Sequence, residues 1–440
     1  MAGRFGTDGI RGAVGTEVTA ELALALGRAV SHRFGATVPV LVGRDTRRSG
    51  EMLTAALAAG LTSTGADVTD LGVVTTPCLV HASGTLHAPG IMVSASHNPS
   101  PDNGLKVVMD GRKIDDGLEA ELDRLIDDAS SVTARPNDEL GRVRSSGGPV
   151  VEYVRHLTEI AGDAVVGLRL GIDCANGSAS VVAPDLFRGL GADVTVLFAA
   201  PDGTNINEGC GSTHPERLAE MVAAAGLDLG LAFDGDADRL IAVDDRGQLV
   251  DGDAIMGICA LARLREGSLR NDALVVTVMT NGGLERVVTE AGGRVVRTPV
   301  GDRHVFAAME QEDAMLGGEQ SGHIIFRDLA STGDGLLTGI QLVRAVRASG
   351  QALSELAAQI PRIPQVVINS AASRRDAWEQ DANFAAAVER ATLGLRDRGR
   401  VLVRPSGTEP KIRIMVEGDD GEEIDRIARE LATLAEARLN

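Results

Sequence analysis

Short unbroken apolar runs alternate along this chain with longer stretches in which apolar residues recur every three or four positions. TVPVLVG (37–43) reads as a buried strand, and SGEMLTAALAAGLTSTG after it as a helix ending at Gly65. IMVS (91–94) is a second strand. After a polar zone around 135–149 the rhythm restarts with LRLGIDC (168–174), a helix after Asn176 and Gly177, ADVTVLF (192–198) and LDLGLAF (227–233). It restarts again with DALVVTVM (272–279), a helix from Asn281 to Ala291, and GRVVRTPV (293–300). Strands apolar on both faces, alternating with helices, predict parallel or mixed sheets covered on both sides. The tail differs: QVVINS, a helical stretch at 376–396, RVLVRPS, KIRIMVEG and an amphipathic helix at 421–438 predict a smaller α+β domain. The expected architecture is α/β: three similar domains with mixed or parallel sheets (1–150, 151–251, 252–364) and a C-terminal α+β domain (365–440), around a central cleft.

Length agrees with this division, since 440 residues exceed what one hydrophobic core holds. Aromatics are only 2% of the chain, so Leu, Val, Ile and Ala must fill the cores and base-stacking platforms are not expected. The formal net charge of −19 argues against nucleic acid or an anionic membrane as partner. It leaves room for a small anion in a cleft lined by a few arginines. Cys78, Cys174, Cys210 and Cys259 form no CxxC pair and read as buried free thiols. With no apolar leader and no membrane-length apolar run, a cytoplasmic protein is expected.

In open α/β sheets, ligands collect beyond the carboxyl ends of the strands. Four unusual loops occupy such places: SASHNP after 91–94, DGDADR after 227–233, GGEQSGH after 314–316 and RPSGTEP after 401–403. Asp234, Asp236 and Asp238 alternate with small residues, so their carboxylates can converge on a hard cation such as Mg²⁺. A calcium loop of the EF-hand type would want Gly at Arg239 and Glu at Asp245. An aspartyl-phosphate pattern with Asp234 as nucleophile suits the strand LGLAF, but Asp238 adds a third charge where that pattern wants a neutral residue. Arg404, Ser406, Gly407, Thr408 and Arg413 make an anion nest. Glu319 and Ser321 suit a polyol.

Ser96 and His97 invite a hydrolase reading, yet the chain has no GxSxG elbow, and a sequence-adjacent histidine is no evidence for a triad. A phosphate carrier fits better. A phosphoserine brings negative charge and three acceptor oxygens, one of which would complete the coordination of a cation on the aspartates. Ser94 faces the same loop; Ser96 is preferred.

FGTDGIRG (5–12), SASHNP with DNGLK (102–106), DGDADR, GEQSGH and RPSGTEPKIRIMVEG, in this order, resemble the α-D-phosphohexomutase superfamily over nearly the whole chain. FGTDGIRG and GGEQSGH are most similar to its branch acting on glucosamine phosphates; glucose and mannose enzymes more often carry Met where Gln320 stands. Leu105, Val107 and Val108 depart from the commoner residues after DNG, a change of packing rather than chemistry.

The resemblance implies an isomerase that interconverts glucosamine 6-phosphate and glucosamine 1-phosphate through a phosphoserine enzyme and a 1,6-bisphosphate, upstream of UDP-N-acetylglucosamine. It implies a covalent phosphate on Ser96 and one Mg²⁺ held by Ser96, Asp234, Asp236 and Asp238. Arg239, Glu319, Ser321, Arg404, Ser406, Gly407, Thr408 and Arg413 become substrate-binding residues. Ser96, His97, Lys106 and Arg11 form the expected catalytic set, with Lys106 the stronger base if burial lowers its pKa. A homodimer through the first domain is implied as well. Asp302, Arg303 and His304 receive no role. Two alternatives stand beside this reading: a glucose or mannose mutase of the same superfamily, and a protein that binds metal and sugar phosphate without catalysis.

Overall fold

A computed structural model describes residues 4–6, 8–35, 38–128, 132–405 and 410–440. Four sheets follow one another along the chain. The first has seven strands, in the order Ile10–Ala13, Asp102–Met109, Gly90–Val93, Val40–Arg44, Val68–Val73 and Val143–Ser145, with Arg112–Lys113 paired off Asp102–Met109. The second orders Leu249–Val250, Leu240–Val243, Leu229–Phe233, Arg169–Asp173 and Asp193–Leu197. The third orders Arg294–Thr298, Ala273–Thr277, Leu316–Gly318 and Ile324–Phe326. The fourth is antiparallel: Gln365–Ala371, Lys411–Gly418 and Gly399–Pro405.

The continuous apolar runs become central strands because both of their faces are covered. GIMV, LGLAF and ALVVT are buried at every position. DVTVL lies at a sheet edge and keeps half its surface, which lets Asp193 and Thr195 sit exposed. Helices Ala20–Phe34 and Ser49–Ser63 pack on the first sheet around Leu26, Val30, Leu53 and Leu57.

Periodicity missed the antiparallel returns. Gly90–Val93 is followed by antiparallel Asp102–Met109, Leu229–Phe233 by Leu240–Val243, and Leu316–Gly318 by Ile324–Phe326. The SASHNP, DGDADR and EQSGH segments are therefore the connections of three equivalent strand pairs. LIAV and IIF are too short to show a period, and DNGLK looked like loop because of its Asn and Gly.

The chain divides into two units. One comprises residues 1–277 and 291–359 and holds the first three sheets; the other comprises 278–290 and 360–440. The helix expected from Asn281 to Ala291 forms over Gly282–Glu290, but it belongs to the C-terminal unit. Within that unit Asn281 Nδ2 donates to the Ile363 carbonyl (2.8 Å), and Gly282 N donates to Glu417 Oε1 (3.1 Å). The expected helix at 376–396 is a 3₁₀ segment, Arg375–Gln380, followed by the helix Ala382–Leu395, which Asp381 caps through Phe384 N. No described helix is long and apolar enough to cross a membrane.

Candidate active site

Two strand-pair connections of the larger unit meet at Ser96, and the third packs on the aspartate loop. The Ser96 hydroxyl donates to Asp234 Oδ2 at 2.5 Å, across 138 residues of sequence. Ser96 and the three aspartates are buried, whereas His97, Arg11, Arg239 and Glu319 are half-buried and Ser321 is exposed at the rim. Both central loops hold non-glycine residues in the left-handed region, Ser96 at φ 53° and Ala237 at φ 57°, conformations that persist only where surrounding contacts enforce them. Two glycines let the loops approach. A Cβ on Gly235 would sit 2.6 Å from the Ser96 carbonyl oxygen, and one on Gly322, itself at φ 91°, 2.2 Å from that of Leu240.

The three aspartates each offer an oxygen within 4.8 Å of the others, a grouping suited to a metal ion. Asp236 Oδ2 accepts from Thr76 Oγ1 (2.5 Å) and Lys106 Nζ (2.7 Å). Asp236 Oδ1 and Asp238 Oδ1 are buried with no hydrogen-bond donor. Buried acceptors of this kind are normally satisfied, and two of them converging beside a third carboxylate fit a hard divalent cation. The electrostatics agree. Burial, then Asp238 and Asp236, push the Asp234 carboxyl well above its ordinary range. Burial would raise Asp238 too, but Lys106, His323 and Arg239 outweigh it and hold that carboxyl well below the usual value.

Lys106 requires a correction. It lies on the strand Asp102–Met109, its side chain only 2% exposed, with Nζ 2.7 Å from Asp236, 3.1 Å from Asp8 and 3.7 Å from Asp238. Burial favours the neutral amine, yet the carboxylates win and its pKa is raised. Lys106 is thus a counter-charge rather than a ready base. His97 moves the other way. Burial, with Arg239 and Arg11 nearby, lowers its pKa to about 4, so its ring is neutral, with Nδ1 3.4 Å from Ser96 Oγ. Arg11 pairs with Asp8 and reaches the Ala95 carbonyl (3.5 Å).

The EQSGH turn closes on itself and on the aspartate loop. Gly322 N donates to the Glu319 carbonyl, and Leu240 N to that of Gly322. Glu319 Oε1 accepts from Gly301 N (3.0 Å), and Arg239 N donates to Asp234 Oδ1 (3.2 Å). In the C-terminal unit, Arg404 and Arg413 face each other in register on antiparallel strands. Ser406, Gly407 and Thr408 lie outside the described residues.

Several contributors escaped the sequence reading. Asp8 pairs with Lys106, Lys113 and Arg11, and Lys113 also pairs with Asp302, which finally gives that residue a setting. His323 Nδ1 lies 3.6 Å from Asp238. Asp45 and Arg47 are fully buried beside the serine loop. A charged run hard against a buried strand marks GRDTRRSG (43–50) as it marks DGDADR, and that signal was available in the sequence. Thr76 and Asn207 carried none.

Family models described as phosphoglucomutase/phosphomannomutase match the chain in four parts: α/β/α domain I over residues 2–133, domain II over 151–247, domain III over 251–363 and the C-terminal domain over 367–434. The chain belongs to this family. A phosphoglucosamine mutase of Symbiobacterium thermophilum is 50% identical over 447 residues, covering all of both chains. One of Mycobacterium marinum is 47% identical, covering 99% of this chain and all of that one. Among solved structures, a phosphoglucomutase/phosphomannomutase family protein of Burkholderia thailandensis superposes with a TM-score of 0.83 at 29% identity, covering 100% of this chain and 99% of its own. The alternative of a non-catalytic binding protein loses its ground, since the family is one of mutases.

Proposed function

We propose that this family member interconverts glucosamine 6-phosphate and glucosamine 1-phosphate, with Ser96 as the phosphate carrier. The observation that carries the proposal is the 2.5 Å contact of Ser96 Oγ with Asp234 inside the buried aspartate cluster. The sugar is supported by full-length relatives that bear the phosphoglucosamine mutase name.

Phosphoryl transfer depends on in-line placement and charge neutralisation. The free hydroxyl oxygen of the bound sugar phosphate bonds to phosphorus as the bond from Ser96 Oγ to phosphorus breaks, and the hydroxyl's proton ends on the serine oxygen. The 1,6-bisphosphate then returns its other phosphoryl group to Ser96. Asp234, Asp236, Asp238 and the serine phosphate would hold Mg²⁺, which would supply positive charge beside the transferring group. Neutral His97 can accept a hydrogen bond beside Ser96, while Lys106 and Arg11 balance negative charge. Glu319, Ser321 and Arg239 have the polar groups to grip a sugar, and Arg404, Ser406, Gly407, Thr408 and Arg413 of the C-terminal unit have side-chain chemistry suited to a phosphate. Burial of the carrier limits hydrolysis of the phosphoserine. Four free, buried thiols suit a cytoplasmic protein, and a homodimer belongs to the same reading.

Ser96→Ala should lose turnover while keeping its thermal midpoint, and the wild-type chain should carry one phosphate on the peptide containing residue 96. Normal turnover in that variant sinks the carrier role. Faster turnover of glucose or mannose phosphates than of glucosamine phosphates would overturn the sugar and leave the chemistry intact. A phosphoenzyme labile to hydroxylamine would point to Asp234 instead.

A further inference from the structure

Arg47 is a buried cation that the chemistry above does not use. Its side chain is 0% exposed, and all five guanidinium donors are engaged. Nε donates to Asp45 Oδ2 (2.9 Å). Nη1 donates to the carbonyls of Pro99 (2.6 Å) and Asp102 (3.0 Å), and Nη2 to those of Ser96 (2.9 Å) and Asn98 (2.8 Å). One planar group thus gathers four carbonyl oxygens of the SASHNPSPD segment.

Asn207, from the next sheet's domain, repeats part of the grip. Its Nδ2 donates to the same Ser96 and Asn98 carbonyls at 2.9 and 3.0 Å. Asp45 acts on the loop's other side through a hydroxyl: Ser94 Oγ donates to Asp45 Oδ2 (2.7 Å) and accepts from Ser96 N (2.9 Å). Both backbone groups of Ser96 are therefore fixed, in the left-handed conformation that directs Oγ to Asp234. Rotating the 95–96 peptide would break the contact to Ser94, and rotating the 96–97 peptide would break those to Arg47 and Asn207.

We propose that Arg47, seconded by Asn207, is a positioning residue for phosphoryl transfer: it clamps the carrier loop so that Ser96 Oγ keeps its place at the aspartate cluster. The inference rests on the reading of Ser96 as phosphate carrier. Arg47 is fully buried and spends every donor on Asp45 and the loop, so its effect should fall on turnover rather than on binding.

The test uses the full chain with Mg²⁺. Arg47→Lys retains a buried charge but replaces a rigid fork of five donors with three on a flexible stem. Asn207→Ala removes the second donor from two carbonyls and leaves Arg47 intact. We expect kcat for glucosamine 1-phosphate to fall about 100-fold in Arg47→Lys and about tenfold in Asn207→Ala, the scale of a misplaced reacting atom. KM should stay within about threefold, because the groups that hold substrate are unchanged. Loading of Ser96 from a hexose 1,6-bisphosphate, followed by intact mass, should slow in parallel. Wild-type kcat and loading in the variants, or a lowered thermal midpoint as the sole effect, would overturn the inference. If Arg47→Lys does not fold, Asn207→Ala decides. Wild-type chain that never carries phosphate at Ser96 would instead defeat the carrier reading, and this inference with it.

Discussion

Lys106 shows how a single side chain can be read correctly in place and wrongly in chemistry. The sequence put it near the serine loop; its charge state depends on three carboxylates from other segments. With Asp236 at 2.7 Å and Asp8 at 3.1 Å, the ammonium is what makes a buried acidic cluster tolerable before a cation arrives. Lys106→Met should therefore destabilise the metal-free protein by about 3–5 kcal/mol, the effect of leaving buried charge unpaired. Urea unfolding in EDTA measures it, and added Mg²⁺ should recover part of the loss. His97 was singled out for its neighbour Ser96, but burial, with the arginines around it, keeps it neutral, a property no local pattern encodes.

At the scale of elements, strand ends do the positioning. Arg169–Asp173 ends in a carboxylate that accepts from Ala175 N (2.8 Å) and Gly211 N (2.9 Å), fixing the turn that leads into the short helical segment Ser178–Val181. Burial pushes the Asp173 carboxyl up to about 6, against the two N–H donors that favour its charged form. The folded chain then binds a proton more readily than the unfolded one between about pH 4 and 6. This contribution to stability is present in full below about pH 4 and is lost as pH rises through about 6. Asp173→Asn should flatten the fall of stability over that window by up to about 3 kcal/mol. Urea midpoints of the two proteins from pH 4 to 7 test it, and parallel curves would refute it.

The strands and helices with strong apolar patterns were legible to within a few residues. Gly90–Val93, Leu229–Phe233 and Ala273–Thr277 are covered on both faces, so their composition alone marks them. The antiparallel returns were hidden because short strands next to Gly-rich turns carry little periodicity. Lys106 was placed near Ser96 without a strand of its own, and the structure sets it on one opposite Met92.

For the molecule as a whole, three buried aspartates are a cost that the fold carries so that one cation can be held. On the proposed reading Mg²⁺ would bind the folded state and find no such cluster in the unfolded chain, so it should stabilise by mass action, by about 2.7 kcal/mol at one hundred times its dissociation constant. Thermal midpoints should rise with Mg²⁺ in the wild type and respond far less in Asp236→Asn. An equal rise in both would remove the aspartates as the site. The sequence by itself determined the α/β character and the place of the serine, aspartate and EQSGH loops at strand ends, because these depend on local composition and chain order. Only the tertiary structure decided which distant groups share a charge environment: that Lys106 stays protonated, that His97 stays neutral, and that Arg47 and Asn207 grip one loop from two domains. Electrostatic energies and hydrogen bonds are set by distances between segments remote in sequence, and those distances exist only once the sheets have packed.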